Sequence, residues 1–299
     1  MFQLKLFLCI GLYLFSVVSA EKSGADLLPS RHVCGKQEEN RIYGGEETII
    51  GEFPWMTLLE LRFNNKRHFI CGGSLINNRY VLTAAHCVKH KVSSVRLGEH
   101  NLASEEDCYG GEDSGLQYCS DPPIDIEIEE TIVHEDYNPK KVGSIGDIAL
   151  LRLKQEVNYT DFIKPICLPI SPELQNKNYT GLIGIVSGWG ATENKSESDV
   201  KLKVEAPITS NERCAKLFRV LGKTIEDSHI CAGGVRRENF CNGDSGGPLM
   251  YLDRTPDEEN WINIGVVSFT VTVCALERVP SVYTRTTEYM PWILAQLKP

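Results

Sequence analysis

The sequence has no excess of basic charge: 31 Lys and Arg face 40 Asp and Glu in 299 residues, for a net charge of −9. A surface of that sign repels phosphate backbones and anionic headgroups, so neither nucleic acid nor membrane is expected as a partner. Apolar runs long enough to span a bilayer are also missing. The run LFLCIGLYLFSVV at 6–18 falls short of the ~20 residues a membrane helix needs. It follows Lys5 and leads into Val18-Ser19-Ala20, the small-residue spacing of a secretory cleavage site, so residues 1–20 read as a signal peptide cut after Ala20. Losing Lys5 takes the mature chain close to −10. No CxxC pair occurs, which removes the usual zinc signature, and there is no internal repeat or low-complexity segment.

What is present is a chain rich in cysteine for its class. Of 11 cysteines Cys9 leaves with the signal peptide, and an even ten in an oxidising compartment argue for five disulfides, with connectivity open from sequence alone. About 258 residues follow Arg41 and 42% of the chain is hydrophobic, enough for one β-rich domain or two tightly joined barrels. Short β-branched runs at 94–97, 124–133, 148–153, 184–187 and 262–269 are separated by Gly, Pro, Asn and Asp, which reads as antiparallel strands. Near the C-terminus a helix is expected from Thr287 or Glu288, with Trp292, Ile293 and Leu297 on one face, packed on the second barrel.

Three segments carry chemistry. Ala84-Ala85-His86-Cys87, Gly146-Asp147-Ile148-Ala149-Leu150 and Gly243-Asp244-Ser245-Gly246-Gly247-Pro248 follow one another at separations of about 60 and about 100 residues. A serine hydroxyl is a weak nucleophile near neutral pH unless an imidazole takes its proton, and a buried carboxylate fixes the imidazole's tautomer. Ser245, His86 and Asp147 are the residue types for those roles. Either motif alone is a glycine-rich turn or a core histidine; all three in order are not.

With these motifs stand RIYGGEE at Arg41, FPWM at Phe53, HFICGGSLINNRYVLTAAHCV at His68, SVRLGEHN at Ser94, DPPIDIEIEETIVHEDYNP at Asp121, IKPICLP at Ile163 and PLMY at Pro248. On these segments the chain resembles the trypsin-like serine proteases from about Arg41 to Pro299, and within them the catalytic domains of arthropod CLIP-domain proteases. The resemblance implies an all-β fold of two six-stranded antiparallel barrels with a C-terminal α-helix. It also implies disulfides Cys71–Cys87, Cys214–Cys231, Cys241–Cys274 and Cys34–Cys167, leaving Cys108 with Cys119. An oxyanion hole would form from the N–H groups of Gly243 and Ser245. A CLIP module has six cysteines ahead of its activation cut, where this chain has Cys34 alone, so the module is expected to be missing.

Arg41 precedes Ile42-Tyr43-Gly44-Gly45, so a protease cutting after Arg41 would expose an α-ammonium on Ile42. Asp244 offers the carboxylate for a buried ion pair that would order the loop around Ser245. The implied organisation is a signal peptide (1–20), a light segment (21–41) held by Cys34, and a protease domain (42–299). Asn239 stands where relatives that cut after Lys or Arg carry aspartate, and a neutral amide cannot balance a buried cation. Phe240, Ser268, Thr270 and Ser281 are expected around the same pocket, narrowing it toward small or medium uncharged side chains or closing it.

No cofactor is required for this chemistry. The resemblance places a structural calcium among Glu99, Asn101, Ser104 and Asp107, oxygen donors suited to a hard cation. Asn158, Asn178 and Asn194 head glycosylation sequons of a secreted chain. The partners implied are a protein substrate, an upstream activating protease and a serpin-type inhibitor, in an extracellular cascade of immunity, melanisation or development. Two other readings stand beside it: a regulatory binding homologue with a blocked pocket, and a digestive or venom protease.

Overall fold

Two closed antiparallel barrels of six strands each make up the body of the protein, as the resemblance implies. The computed structural model describes residues 23–37, 47–64, 66–110, 117–141, 143, 145–190, 198–234, 244–255, 257–270 and 279–299. In the first barrel β1 (Met56–Phe63), β2 (Lys66–Leu75), β3 (Tyr80–Thr83), β4 (Ser94–Leu97), β7 (Ile124–Val133) and β8 (Ala149–Leu153) close in the order β1-β2-β3-β8-β7-β4. Between them β5 (Cys108–Tyr109) and β6 (Tyr118–Cys119) form a separate hairpin. The second barrel closes as β10-β11-β14-β13-β12-β9, from β9 (Ile183–Gly188), β10 (Leu202–Thr209), β11 (His229–Ala232), β12 (Pro248–Arg254), β13 (Glu259–Phe269) and β14 (Ser281–Arg285). The helices are α1 (Pro172–Gln175), α2 (Asn211–Arg219) and α3 (Thr286–Gln296).

Alternation along each strand sends one set of side chains inward. Leu59, Leu75, Leu82, Leu97 and Leu150 fill the first barrel, and Val186, Ile208, Ile230, Leu249, Ile264 and Tyr283 the second. At about 1.5–3 kcal/mol for each fully buried aliphatic or aromatic side chain, this burial is the main force opposing chain entropy. Met250 of β12 and Val266 of β13 belong to the first core, and Trp55 Nε1 donates to Met250 Sδ at 3.0 Å, so the barrels share one seam. The catalytic motifs lie along that seam.

Ser210 caps α2 by accepting from Arg213 N, and Lys216 and Arg219 lie in its last turn, where the helix dipole favours cations. The C-terminal helix begins at Thr286 rather than at Thr287 or Glu288. It packs against β13 of the second barrel, as expected, and also reaches further. Although α3 continues from β14 of the second barrel, Met290, Ile293 and Leu297 join the first core, and Lys298 N donates to Tyr80 Oη at 3.1 Å. The helix therefore crosses from one barrel to the other. Among the described residues no helix is long and apolar enough to cross a membrane.

Four of the five implied disulfides are formed: Cys34–Cys167, Cys71–Cys87, Cys108–Cys119 and Cys214–Cys231. The fifth, Cys241–Cys274, lies outside the described residues. Along the light segment, Asn77 Nδ2 donates to Leu27 O, Asn260 Nδ2 to Arg31 O and Cys34 O, and Arg31 pairs with Asp253 at 2.9 Å. One consequence is testable. After a cut following Arg41, the native protein should run as a single species on a non-reducing gel, whereas Cys34→Ser combined with Cys167→Ser should release the light fragment under denaturing conditions. Release from the native protein would contradict the Cys34–Cys167 link.

Candidate active site

His86 lies in a single 3₁₀ turn, Ala85–Lys89, which follows β3; its neighbour Cys87 is bonded to Cys71 of β2. The disulfide thus fixes the backbone beside the imidazole. Asp147 enters from the start of β8 and is 5% exposed. Its placement depends on Gly146, whose φ of +73° is easy only for glycine and whose N–H donates to Tyr289 Oη at 2.8 Å. Thr284 Oγ1 donates to the Asp147 carbonyl at 2.8 Å. The carboxylate receives His86 N–H on Oδ1 at 2.9 Å and is 2.9 Å from His86 Nδ1 through Oδ2. A carboxylate at Nδ1 makes that nitrogen the protonated one, so Nε2 holds the lone pair of a general base.

Oδ2 has a further donor. Ser268 Oγ reaches it at 2.5 Å. Sequence reasoning places Ser268 at the specificity pocket; its hydroxyl also has a second use, as a donor to Asp147. A serine within the apolar stretch Gly265-Val266-Val267-Ser268-Phe269 carries no local signal of this role, because the partner is 121 residues away in sequence.

Ser245 occupies the turn ahead of β12, and this turn is tied to both barrels: Gly72 N of β2 donates to Ser245 O at 2.8 Å and Gly246 N to Val267 O of β13 at 3.0 Å. Gly246 has φ +80°, and a Cβ there would lie 2.2 Å from Thr83 Oγ1 and 2.6 Å from Gly72 O. Only glycine lets the nucleophile's turn approach β2 and β3 so closely. Among the described residues no hydrogen bond joins Ser245 Oγ to His86 Nε2, the looser arrangement common before substrate binds. Gly243, the other oxyanion donor expected, lies outside the described residues.

Asp244 is 7% exposed and its Oδ1 accepts from Gly190 N at 2.9 Å. A Cβ on Gly188 would sit 2.1 Å from Oδ1, and one on Gly190 2.3 Å from Oδ2. The carboxylate therefore lies in a niche that two glycines keep open. Arg41 and Ile42, the expected activation residues, lie outside the described residues. The chain just downstream is tightly held: Thr48 N donates to Lys201 O at 3.0 Å, and Ile50 N to Tyr109 Oη at 3.0 Å.

Of the pocket residues, Ser281 is fully buried and its Oγ donates to Thr270 Oγ1 at 3.0 Å. The two hydroxyls are thus in direct contact. Asn239 and Phe240 lie outside the described residues. Asn158 and Asn178 are exposed in loops, while Asn194 is outside the described residues.

The side chains named for calcium do not form a cage. Glu99 accepts from Arg96 Nη1 at 3.1 Å and from His100 N at 2.9 Å; Asp107 accepts from Asn101 N and Ser104 Oγ; Asn101 Oδ1 accepts from Ala103 N. Lys201, 3% exposed, brings its Nζ to 3.5 Å from Glu99 O, and burial pulls its pKa down to about 8. With donors of N–H and O–H type on every carboxylate and an ammonium alongside, this loop does not fit a divalent cation without rearrangement.

His100 in the same loop is 8% exposed, and burial, aided by Lys201, lowers its pKa to about 4. The unfolded chain takes up a proton near pH 6.5 and the folded one only near pH 4, so stability falls as pH drops through that window. The loss is expected to reach up to about 3 kcal/mol, and His100→Gln should flatten it. Urea midpoints from pH 7 to pH 4 test this; an equal slope in the variant would contradict it.

The trypsin family's sequence model matches residues 42–293. The chain is 43% identical over 291 residues to CLIP domain-containing serine protease HP8 of Bombyx mori, covering 95% of this chain and 77% of that protein. It is 43% identical over 270 residues to Phenoloxidase-activating factor 3 of Holotrichia diomphalia, covering 89% and 75%. The crystal structure of the Drosophila Grass clip serine protease of the Toll pathway superposes with a TM-score of 0.76 at 36% identity, covering 87% of this chain and 73% of that one.

Proposed function

The chain belongs to the trypsin family of serine proteases and is a serine endopeptidase similar to arthropod CLIP-domain proteases; from that premise we propose that it is secreted as a zymogen, switched on by a cut after Arg41, and works in an extracellular cascade. The observation that carries the chemistry is the buried Asp147 held on His86 Nδ1, at the seam where the Ser245 turn docks. His86 Nε2 takes the Ser245 proton as Oγ attacks a substrate carbonyl, then passes it to the leaving amine. Asp147 keeps the tautomer and stabilises the imidazolium, and Ser268 holds Asp147. The N–H groups of Ser245 and Gly243 receive the oxyanion, each such donor being worth about 10²–10³ in rate.

The names of relatives, a phenoloxidase-activating factor and a Toll-pathway protease, support a place in immune or melanisation proteolysis, with a protein substrate, an upstream protease and a serpin-type inhibitor as partners. The substrate preference is for a small or medium uncharged side chain at the scissile bond. Peptide libraries on the enzyme cut after Arg41 test this, and Thr270→Gly with Ser281→Gly should raise kcat/KM for bulkier residues about tenfold by opening the slot. Cleavage confined to Arg and Lys would contradict the pocket reading. The Ser281–Thr270 bond also favours a second reading, a regulatory homologue with a closed pocket; no turnover of any peptide by the cut wild type, restored in the double glycine variant, would establish it.

A further inference from the structure

The ladder between β12 and β13 starts at Pro248↔Val266, and Val267 completes its bonds with Gly246 and Gly247. Among the described residues the backbone of 268–270 then runs on without a β12 partner, directly beside Ser245. A substrate peptide can add to that free edge as an extended strand. Its side chains alternate, so those at the second and fourth residues before the scissile bond face the same way.

Phe269 is the side chain in the middle of this edge. Its ring packs edge-on against Phe218 of α2 at 5.7 Å, and Lys223 holds its Nζ 4.9 Å from the ring centroid. The loop bearing Lys223 is preformed: Leu221 N and Lys223 N donate to Phe218 O, and Gly222 N to Arg219 O, each at 3.0 Å. At its tip Val220 and Leu221 are 86% and 53% exposed. Lys154, Lys203 and Lys216 each hold a carboxylate at 2.6 Å, of Glu127, Glu52 and Glu212. Among the described residues neither Lys223 nor Arg219 has one, although acidic residues outnumber basic ones 40 to 31 in the chain. A cation stacked on the aromatic ring of this edge residue and lacking an internal acid is suited to an acid supplied by the substrate.

We propose that Lys223, with Arg219 beside it, selects Glu or Asp at the second or fourth residue before the scissile bond, while Val220 and Leu221 take up an apolar flank of the protein substrate. This rests on the proteolytic reading above. The test uses the full chain cut after Arg41 and peptides differing only by Glu, Gln or Lys at the second, third or fourth position before the bond. Glu should exceed Gln about fivefold in kcat/KM at the second or fourth position, and the ratio should fall toward one in about 0.5 M NaCl. Lys223→Gln should abolish the ratio, Lys223→Glu should invert it in favour of Lys, and Lys223→Arg should keep it. Equal turnover of Glu and Gln peptides, a preference confined to the third position, or a ratio that survives Lys223→Gln overturns the inference. Labelling of Ser245 by a fluorophosphonate keeps the two readings apart: labelling without acid selection overturns this inference alone, and absence of labelling overturns both.

Discussion

Replacing Asp147 by asparagine should lower kcat for peptide hydrolysis by about 10⁴-fold with the fold intact, the cost associated with losing the orienting acid. The carboxylate receives three donors, His86 N–H, His86 Nδ1 and Ser268 Oγ. An amide has a single acceptor oxygen, and its NH₂ would face either His86 N–H or Nδ1 together with Ser268 Oγ. With NH₂ toward Nδ1 the imidazole adopts the opposite tautomer, its proton sits on Nε2, and Ser245 has no base. Ser268→Ala, which leaves the carboxylate in place, should cost far less and act on kcat rather than KM. Parallel kcat values and thermal midpoints decide this. A loss under tenfold in the Asp147→Asn protein would remove Asp147 from the mechanism.

Arg41→Gln should leave the protein without activity after exposure to an arginine-cutting protease, while the wild type gains at least about 10²–10³-fold, the scale of one oxyanion donor. The argument runs through Asp244. Its carboxylate fits a niche against Gly188 and Gly190 that no side chain could share, and Gly243 is the adjacent residue. A buried α-ammonium from Ile42 on that carboxylate would hold the oxyanion turn in place. Gly190→Ala should mimic the uncut state even after cleavage, because its Cβ would displace the carboxylate. Sequencing the new N-terminus alongside hydrolysis rates separates failed cutting from failed ordering. Full activity in uncut Arg41→Gln would contradict a zymogen.

The chemistry was legible because it is local. His86, Asp147 and Ser245 each sit in a short stretch whose glycine, alanine or cysteine neighbours serve the same turn, and the runs at 94–97 and 124–133 became β4 and β7 at the same bounds. What sequence could not supply is contact across the fold. The sequence reading puts Ser268 at the pocket, but its bond to Asp147 shows only once β13 is seen to end against that carboxylate. Nothing in the sequence marks Lys201 as buried, yet its own N–H bonds His100 O, its carbonyl accepts from Thr48 N, and its side chain lies inside. The start of α3 carries no sequence mark because Arg285 supplies no side-chain cap, and its reach to the first barrel depends on the fold bringing Tyr80 and the C-terminus together.

The most direct test of the account is to cut the protein after Arg41, treat it with a fluorophosphonate, and locate the adduct by peptide mass spectrometry. The account predicts one adduct, on Ser245, absent from uncut protein and from His86→Ala. An adduct elsewhere, or none with Ile42 established as the new N-terminus, would contradict it.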